Sequence, residues 1–317
     1  MRNETDGSPI NHNSIAVKVT GLTRAFGEFI AVDSIDLEVR RGEIFGFLGP
    51  NGAGKSTTIN MLCGLLAPSS GSGTVGGYDI ATRSEDIKKN IGYMSQRFSL
   101  YDDLTVEENI RFFSGIYTIP AADRTARSEW VLEMAGLRER RSALTRELPG
   151  GFKQRLALGC AMLHKPDILF LDEPTSGVDP VSRRSFWDMI SGMARAGTTV
   201  FVTTHYMDEA DYCDRLALIY RGRIIAEGTP GELRQKHMQR EVLEIETDRL
   251  VDALDVLGSN NIDSSIFGSV LHATVDDQMR AEQKIRERLS SAGITVTRIE
   301  KIVPSLEDVF VTLIESA

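Results

Sequence analysis

The stretch that decides the fold is Gly49-Pro-Asn-Gly-Ala-Gly-Lys-Ser56, which lies between the apolar run EIFGFL (43–48) and the segment TINMLCGLL (58–66). Its spacing matches G-x-x-x-x-G-K-[ST], a phosphate-binding loop between a strand and a helix. The glycines let backbone N–H groups surround a β-phosphate, and the helix N-terminus favours the anion. Lys55 is predicted to reach the β- and γ-phosphates, and Ser56 to ligate Mg²⁺.

Two further runs predict the sheet that carries this loop. ILFL (168–171) and TTVFVTT (198–204) are continuous apolar or β-branched runs, typical of parallel strands that are covered on both faces. The runs IAVKV (15–19) and IDLEV (35–39) are also predicted to be strands. The pattern predicts an α/β fold.

Polar side chains follow both buried runs. Asp172 and Glu173 come directly after ILFL, and His205 comes directly after TTVFVTT. Ligands collect at the carboxyl ends of parallel strands. We therefore expect Asp172 to hold Mg²⁺, Glu173 to act as general base toward water, and His205 to contact the γ-phosphate. A lone histidine after a strand is otherwise an ordinary helix cap or solvent-facing residue.

A second glycine pair opens a helix at Leu148-Pro-Gly-Gly-Phe-Lys-Gln154. This is another potential anion-binding helix N-terminus. A single nucleotide needs only one such helix N-terminus. The second N-terminus, at Gly150 and Gly151, is explained if it contacts the nucleotide that a partner molecule binds.

The chain is predicted to contain two domains after a disordered tail, residues 1–14. The first spans residues 15–240 and includes a mostly helical subdomain at about 97–165. The second, residues 241–317, follows the order strand, helix, strand pair, helix, strand, helix, which predicts a small α+β domain. In its last helix, Ser305 is predicted to cap.

Charge and composition exclude several functions. Residues 1–240 hold 30 acidic and 29 basic residues, and residues 241–317 hold 15 acidic and 7 basic ones, which argues against a nucleic-acid ligand. Because the chain has neither an 18-residue apolar span nor an apolar leader, we expect it to be neither integral to a membrane nor secreted. The three cysteines, Cys63, Cys160 and Cys213, are predicted to be reduced, buried thiols.

Residues 15–235 resemble the ATP-binding cassette ATPases, the nucleotide-binding subunits of ABC transporters. The family's motifs occur here in the family's order: Phe26 for the adenine-stacking ring, Gly49–Ser56 for Walker A, Gln96 for the Q-loop, Leu148–Gln154 for the signature, Leu171–Glu173 for Walker B, Ser176–Asp179 for the D-loop and His205 for the switch histidine. The C-terminal region, with Pro304-Ser-Leu-Glu-Asp-Val-Phe310, resembles that of drug-exporter ATPases of the daunorubicin type.

The resemblance implies a P-loop ATP-binding cassette with a helical subdomain that uses ATP and Mg²⁺. The ATP-binding residues that it implies are Phe26, Gly49, Pro50, Asn51, Gly52, Ala53, Gly54, Lys55, Ser56, Thr57, Pro149, Gly150 and Gly151. It assigns catalysis to Glu173, His205 and Gln96, and metal binding to Ser56, Gln96 and Asp172.

The resemblance also implies partners and a place in the cell. Two cassettes sandwich two ATP molecules, and a separate transmembrane permease carries the exported substrate, which is drug-like or lipid-like. The chain is then a peripheral protein on the cytoplasmic face of the cell membrane and binds no nucleic acid. Phe98, Leu100 and Tyr101 follow Gln96 and are predicted to contact the permease, with local packing as the alternative.

One signature position departs from the family pattern. The family commonly has Leu-Ser-Gly-Gly, and Pro149 stands here in place of the serine whose hydroxyl and N–H face the opposing γ-phosphate. Proline is well tolerated at the first position of a helix, so Pro149 can equally serve only to start one.

Two other functions remain open from the sequence. A soluble, non-transport cassette ATPase that acts on ribosomes or DNA usually carries two cassettes or a long coiled coil, and this chain has neither. A small-molecule or nucleotide kinase with a P-loop would leave Gln96 and Pro149–Arg155 without a role. The leading prediction is an ATPase subunit that powers export.

Overall fold

The computed structural model describes residues 14–96, 100–238 and 241–315, which form two compact units that divide between Thr229 and Pro230. The division comes earlier than the predicted boundary at residue 240. The helix Pro230–His237 packs against the last helix of the chain and so belongs to the second unit. The predicted tail, residues 1–14, lies outside the described residues except for Ser14.

The first unit combines a six-stranded sheet, a four-stranded sheet and helices. Its strands are β1 (Ile15–Phe26), β2 (Phe29–Arg40), β3 (Ile44–Leu48), β4 (Ser70–Val75), β5 (Tyr78–Asp79), β6 (Ile91–Met94), β7 (Ile168–Asp172), β8 (Thr199–Thr204), β9 (Arg215–Tyr220) and β10 (Arg223–Gly228). Its helices are α1 (Lys55–Leu62), α2 (Ser84–Asn90), α3 (Val106–Ile116), α4 (Ala121–Met134), α5 (Gly150–Ala161) and α6 (Pro180–Arg195).

The six-stranded sheet has the order β10-β9-β3-β8-β7-β6, and its strands are parallel except β10. Every residue of β3, β7 and β8 is buried, which explains why their sequences are continuous apolar runs. Leu48 of β3 pairs with Thr204 of β8, and Thr203 of β8 pairs with Asp172 of β7. The chain segments that follow these three strands therefore emerge side by side.

The predicted helical subdomain is present as α3, α4 and α5. Thr105 caps α3: its side chain accepts a hydrogen bond from the backbone N–H of Glu108, and the Glu108 carboxylate accepts one from the backbone N–H of Thr105. Val106 and Ile110 are buried in a separate apolar core that α4 and α5 share. The opposite face of α5 packs on the six-stranded sheet through Ala157, Leu158 and Ala161, so α5 joins this core to the sheet.

The second unit is an antiparallel sheet with helices, as the sequence predicts. Its elements are α7 (Pro230–His237), β11 (Glu241–Thr247), α8 (Leu250–Ser259), β12 (Asp263–Phe267), β13 (Val270–Val275), α9 (Gln278–Ser291), β14 (Val296–Ile302) and α10 (Leu306–Glu315). The strand order is β12-β13-β11-β14. Ser305 caps α10 by accepting from the backbone N–H of Asp308, and the Asp308 carboxylate accepts from the backbone N–H of Ser305.

Candidate active site

The phosphate loop (Gly49–Ser56) leaves the end of β3 and enters α1. Glycine is required at two of its positions, because a Cβ would lie 2.2 Å from the Ile219 carbonyl oxygen at Gly49 and 2.6 Å from the Ala31 carbonyl oxygen at Gly54. Gly54 also has φ +109°, which side chains rarely adopt. The loop therefore packs directly on its neighbours at these two glycines.

The Lys55 side chain is 4% exposed and points back along the phosphate loop. Its ammonium donates to the carbonyl oxygens of Gly49 (2.7 Å) and Pro50 (3.1 Å). It also lies 3.0 Å from Oε1 of Glu173. The positive charge predicted to reach the phosphates is thus held among three oxygens.

Glu173 connects the predicted catalytic groups. Its Oε2 accepts a hydrogen bond from Gln96 Nε2 at 3.0 Å and lies 3.1 Å from Nδ1 of His205. One carboxylate oxygen therefore faces Lys55, and the other faces Gln96 and His205. Three residues that the sequence places far apart meet on one buried side chain.

The backbone of Glu173 is strained. Its φ is +47°, in the left-handed region that is unfavourable for a side chain of this size. The strain is held by two hydrogen bonds from the Glu173 N–H, to the carbonyl oxygen (3.1 Å) and to Oγ1 (3.0 Å) of Thr203. Strain of this kind persists where surrounding structure fixes it, and it is concentrated at functional sites.

Asp172 and Ser56 form the oxygen cluster in which the sequence predicts Mg²⁺. Ser56 Oγ donates to Oδ1 of Asp172 at 3.1 Å, and Thr203 Oγ1 donates to the same oxygen at 2.7 Å. Burial raises the pKa of Asp172, while the Thr203 and Ser56 hydrogen bonds oppose the shift. Hydroxyl and carboxylate oxygens are the ligands that Mg²⁺ prefers, so this donor set fits the ion. The described contact of Gln96 is with Glu173, and its metal role stays a prediction.

The hairpin of β1 and β2 places Phe26 on the surface. The ring is 48% exposed, and the guanidinium of Arg24 covers it at 4.5 Å from the ring centroid. Backbone hydrogen bonds link β2 to the phosphate loop through one glycine: Asp33 N–H donates to Gly222 (2.8 Å), and Gly222 N–H donates to Ala53 (2.9 Å). Base stacking on Phe26 stays a prediction.

The other residues that the family resemblance assigns to ATP binding differ in exposure. Asn51 and Gly52 of the phosphate loop are exposed, whereas Thr57, which follows the loop, is half-buried.

The signature residues begin α5 in a different environment. The sequence allows Pro149 to be the first helical residue of α5. In the structure the helix starts at Gly150, and Pro149 is its N-cap, one residue earlier. The buried Gln154 side chain donates to the carbonyl oxygen of Pro174, next to Glu173. The contacts described for this end of α5 lead to Ser182 of α6, to Pro174, and to Asp102 and Arg140 of the helical subdomain. None of these contacts leads to the phosphate loop.

Thr203 is the site residue that the sequence analysis missed. Its hydroxyl donates to Asp172 and accepts from the Glu173 N–H, so one side chain fixes both acidic residues. A signal was present, because Thr203 lies two residues before His205 at the end of a fully buried strand. A buried hydroxyl needs hydrogen-bond partners, and the neighbouring strand end supplies them.

Comparisons with known proteins show the family to which the chain belongs. Residues 32–176 match the ABC transporter family, and residues 228–314 match the C-terminal domain of DrrA1-3-like ATP-binding proteins. The chain is 52% identical over 236 residues to the probable multidrug ABC transporter ATP-binding protein YbhF of Escherichia coli K12, which covers 74% of this chain and 40% of YbhF. The chain thus corresponds to less than half of that relative's length.

Two other matches extend over most of both chains. The daunorubicin/doxorubicin resistance ATP-binding protein DrrA of Streptomyces peucetius is 36% identical over 308 residues, covering 94% of this chain and 92% of DrrA. A dimeric structure of the ATP-binding cassette MJ0796 bound to ADP and Pi aligns with a TM-score of 0.61 and 26% identity, covering 67% of this chain and 98% of that chain. The chain therefore belongs to the ABC transporter ATP-binding proteins, in the group that carries a DrrA-like C-terminal domain.

Proposed function

We propose that this chain is the ATP-hydrolysing subunit of an ABC transporter that powers export of a drug-like or lipid-like substrate through a separate permease. The observation that carries the proposal is the position of Glu173, whose carboxylate lies 3.0 Å from Lys55 and 3.1 Å from His205. A phosphate-binding lysine, a carboxylate base and a histidine are thereby within reach of one γ-phosphate.

The two oxygens of Glu173 have different tasks in this proposal. Oε1 forms an ion pair with Lys55. When ATP binds, its phosphates replace Oε1 as the partner of the Lys55 ammonium, because they carry more negative charge. Oε2 stays oriented by Gln96 and His205. The freed carboxylate then accepts a proton from the water that attacks the γ-phosphate.

Mg²⁺ fits beside Ser56 and Asp172, where it would neutralise part of the phosphate charge. Thr203 keeps Asp172 in place by donating to its Oδ1. Asp172 also accepts a hydrogen bond from the Ser56 hydroxyl, so two of the three predicted metal ligands already lie together. The protein would supply the oxygens of Ser56 and Asp172, which hydrogen bonds already hold next to each other, as ligands for the ion.

A second cassette completes the site in our proposal. Gly150 and Gly151 begin α5, and the first N–H groups of a helix attract anions. Pro149 and Gly150 are exposed and thus accessible to a nucleotide that another cassette binds. The dimeric cassette among the solved structures supports such an arrangement. We propose a homodimer.

The permease is proposed to bind beside the Q-loop on the helical subdomain. Tyr101 and Ile116 are 50% and 58% exposed, and the Tyr101 ring contacts Phe112 at 4.6 Å. Leu100 is half-buried and packs on the core, so we assign the contact to Tyr101 and the exposed face of α3. Phe98, also predicted to take part, lies outside the described residues.

A crosslink tests this docking surface. The native cysteines Cys63, Cys160 and Cys213 are buried, so a cysteine introduced at position 101 would be the accessible one. We expect it to crosslink to a co-expressed permease. Crosslinks that map only to the second unit would contradict the surface.

The membrane association itself is part of the proposal. Among the described residues, none of the helices combines the length and the hydropathy that a membrane-spanning helix requires. We propose that the chain sits at the cytoplasmic face of the cell membrane through its permease, and that the second unit stabilises or regulates the cassette.

ATP hydrolysis with and without the co-purified permease tests the function. We expect ATPase activity that the permease stimulates. ATPase activity that is the same with and without a membrane protein would favour a soluble, non-transport ATPase. Transfer of the γ-phosphate to a small molecule instead of water would favour a kinase.

A further inference from the structure

A fully buried carboxylate lies four residues beyond the switch histidine. Glu209 is 0% exposed, and neither of its carboxylate oxygens has a hydrogen-bond partner among the described residues. Arg183 of α6 supplies a positive charge, with Nε 3.8 Å from Oε1 of Glu209. An ionised carboxylate without a counter-charge is strongly unfavourable in a protein interior. The buried Glu209 carboxylate therefore depends on Arg183 for its counter-charge.

Arg183 holds the segment after His205 at two more points. Its guanidinium lies over the Tyr206 ring, 4.1 Å from the centroid, and Nη1 is 3.4 Å from Oδ2 of Asp208. The Tyr206 ring in turn lies 4.1 Å from the His205 ring. A planar guanidinium can stack flat on an aromatic ring while its N–H groups pair with carboxylates, whereas an ammonium is a compact point charge with no planar face.

The first turns of α6 face this segment along its length. Trp187, one helical turn after Arg183, stacks on Tyr212 at 4.9 Å. Ser182 lies against the signature helix, because a Cβ at Gly151 would be 2.7 Å from Ser182 Oγ. The same helix that follows the D-loop therefore contacts both the signature helix and the segment that carries His205.

We infer that Arg183 is a positioning residue for His205, acting through the Tyr206 ring and the buried Glu209 carboxylate. Buried ion pairs contribute little net stability compared with apolar packing. What this pair supplies is the position of Tyr206 and, through it, the contact of His205 with Glu173 at 3.1 Å. The inference rests on the proposed ATP hydrolysis, in which His205 takes part.

A conservative substitution separates geometry from charge. Arg183→Lys keeps the positive charge near Glu209 and loses the planar stack on Tyr206. We expect kcat for ATP to fall about 10-fold with an unchanged KM, the scale of a slightly misplaced catalytic group. Arg184→Lys is the matched control: Arg184 is exposed and has no hydrogen bond or ion pair to another described residue. It should leave kcat unchanged.

A double-mutant cycle with His205→Ala tests whether the effect passes through the imidazole. Single-turnover hydrolysis of labelled ATP measures the slow variants. In the His205→Ala background, we expect Arg183→Lys to change the rate less than about 2-fold, because the group that it positions is absent. An equal loss in both backgrounds, or a kcat like that of Arg184→Lys, would overturn the inference.

A second variant covers the case in which Arg183→Lys does not fold. Arg183→Met with Glu209→Gln replaces the ion pair by a neutral pair of similar volume, and it should fold yet lose kcat as well. Full kcat in this double variant would overturn the inference while leaving the proposed function intact. A folded wild-type chain that hydrolyses no ATP would instead overturn the proposed function, and the inference with it.

Discussion

Pro149→Ser tests what the unusual signature residue does. Pro149 is the N-cap of α5, with φ −55° and ψ 149° and no side-chain cap, and its carbonyl oxygen accepts from the Phe152 N–H at 2.9 Å. Serine adopts this extended conformation without strain. It would restore two donors that proline lacks, a hydroxyl and a backbone N–H, at the helix end that we propose faces a partner's γ-phosphate.

The expected gain follows from the bonds that serine can make. A charge-assisted hydrogen bond contributes about 1.5 to 3 kcal/mol. Part of this is lost because serine loosens the helix entry that proline restricts, which costs about 0.4 to 1 kcal/mol. A net gain of about 1 to 2 kcal/mol in the transition state corresponds to a turnover about 5- to 30-fold higher.

The assay is steady-state ATP hydrolysis by the purified chain with its permease. Pro149→Ala is the matched control, because it restores the N–H but adds no hydroxyl, and its turnover should lie between those of wild type and Pro149→Ser. Unchanged kcat and KM in Pro149→Ser would refute the reasoning. Pro149 would then only start the helix.

Three further predictions follow from the described contacts. Thr203→Val removes the hydroxyl that donates to Asp172 (2.7 Å) and accepts from the Glu173 N–H (3.0 Å), so we expect a kcat about 10-fold lower in ATPase assays; an unchanged kcat would contradict the role of Thr203. Burial lowers the pKa of His272, but Asp308 (2.7 Å) and Glu244 (3.6 Å) outweigh it and raise the pKa. The ion pair's contribution to the unfolding free energy is therefore full below the ordinary value of 6.5 and is lost as the pH rises through the folded pKa. Urea unfolding followed by NMR signals of residues 306–315 should show this loss in wild type and not in His272→Gln, and equal slopes would contradict it. A chain that ends at Thr229 should still bind ATP in a calorimetric titration, since the phosphate loop and its described contacts belong to the first unit, while dimerisation or transport is impaired; a folded truncation that binds no ATP would contradict this.

The buried strands and the meeting of the site residues could be predicted from sequence. β3, β7 and β8 are covered on both faces, so their apolar runs are uninterrupted and easy to detect. Because the three strands are parallel neighbours, the residues at their carboxyl ends had to converge. The family resemblance added Gln96, whose contact with Glu173 at 3.0 Å agrees with a place in the site.

The remaining features depend on contacts that no local pattern encodes. The hydroxyl of Thr203 matters because it contacts Asp172 of β7, and the sequence of β8 alone does not show which partner a buried hydroxyl has. Leu100 is half-buried because the helical subdomain covers it. The first unit ends at Thr229 because α7, a short and mostly polar helix, packs on α10, the last helix of the chain. Long-range packing decided all three.

The most direct test of the central claim is ATP binding and hydrolysis by Glu173→Gln. The substitution keeps the size and shape of the side chain between Lys55, Gln96 and His205, and it removes the negative charge and with it the ability to accept a proton. Lys55→Ala is the comparison variant, which should weaken nucleotide binding itself. We predict that Glu173→Gln binds ATP at least as tightly as wild type and hydrolyses it about 100-fold more slowly or slower still. Hydrolysis at the wild-type rate would contradict the assignment of Glu173 as the general base.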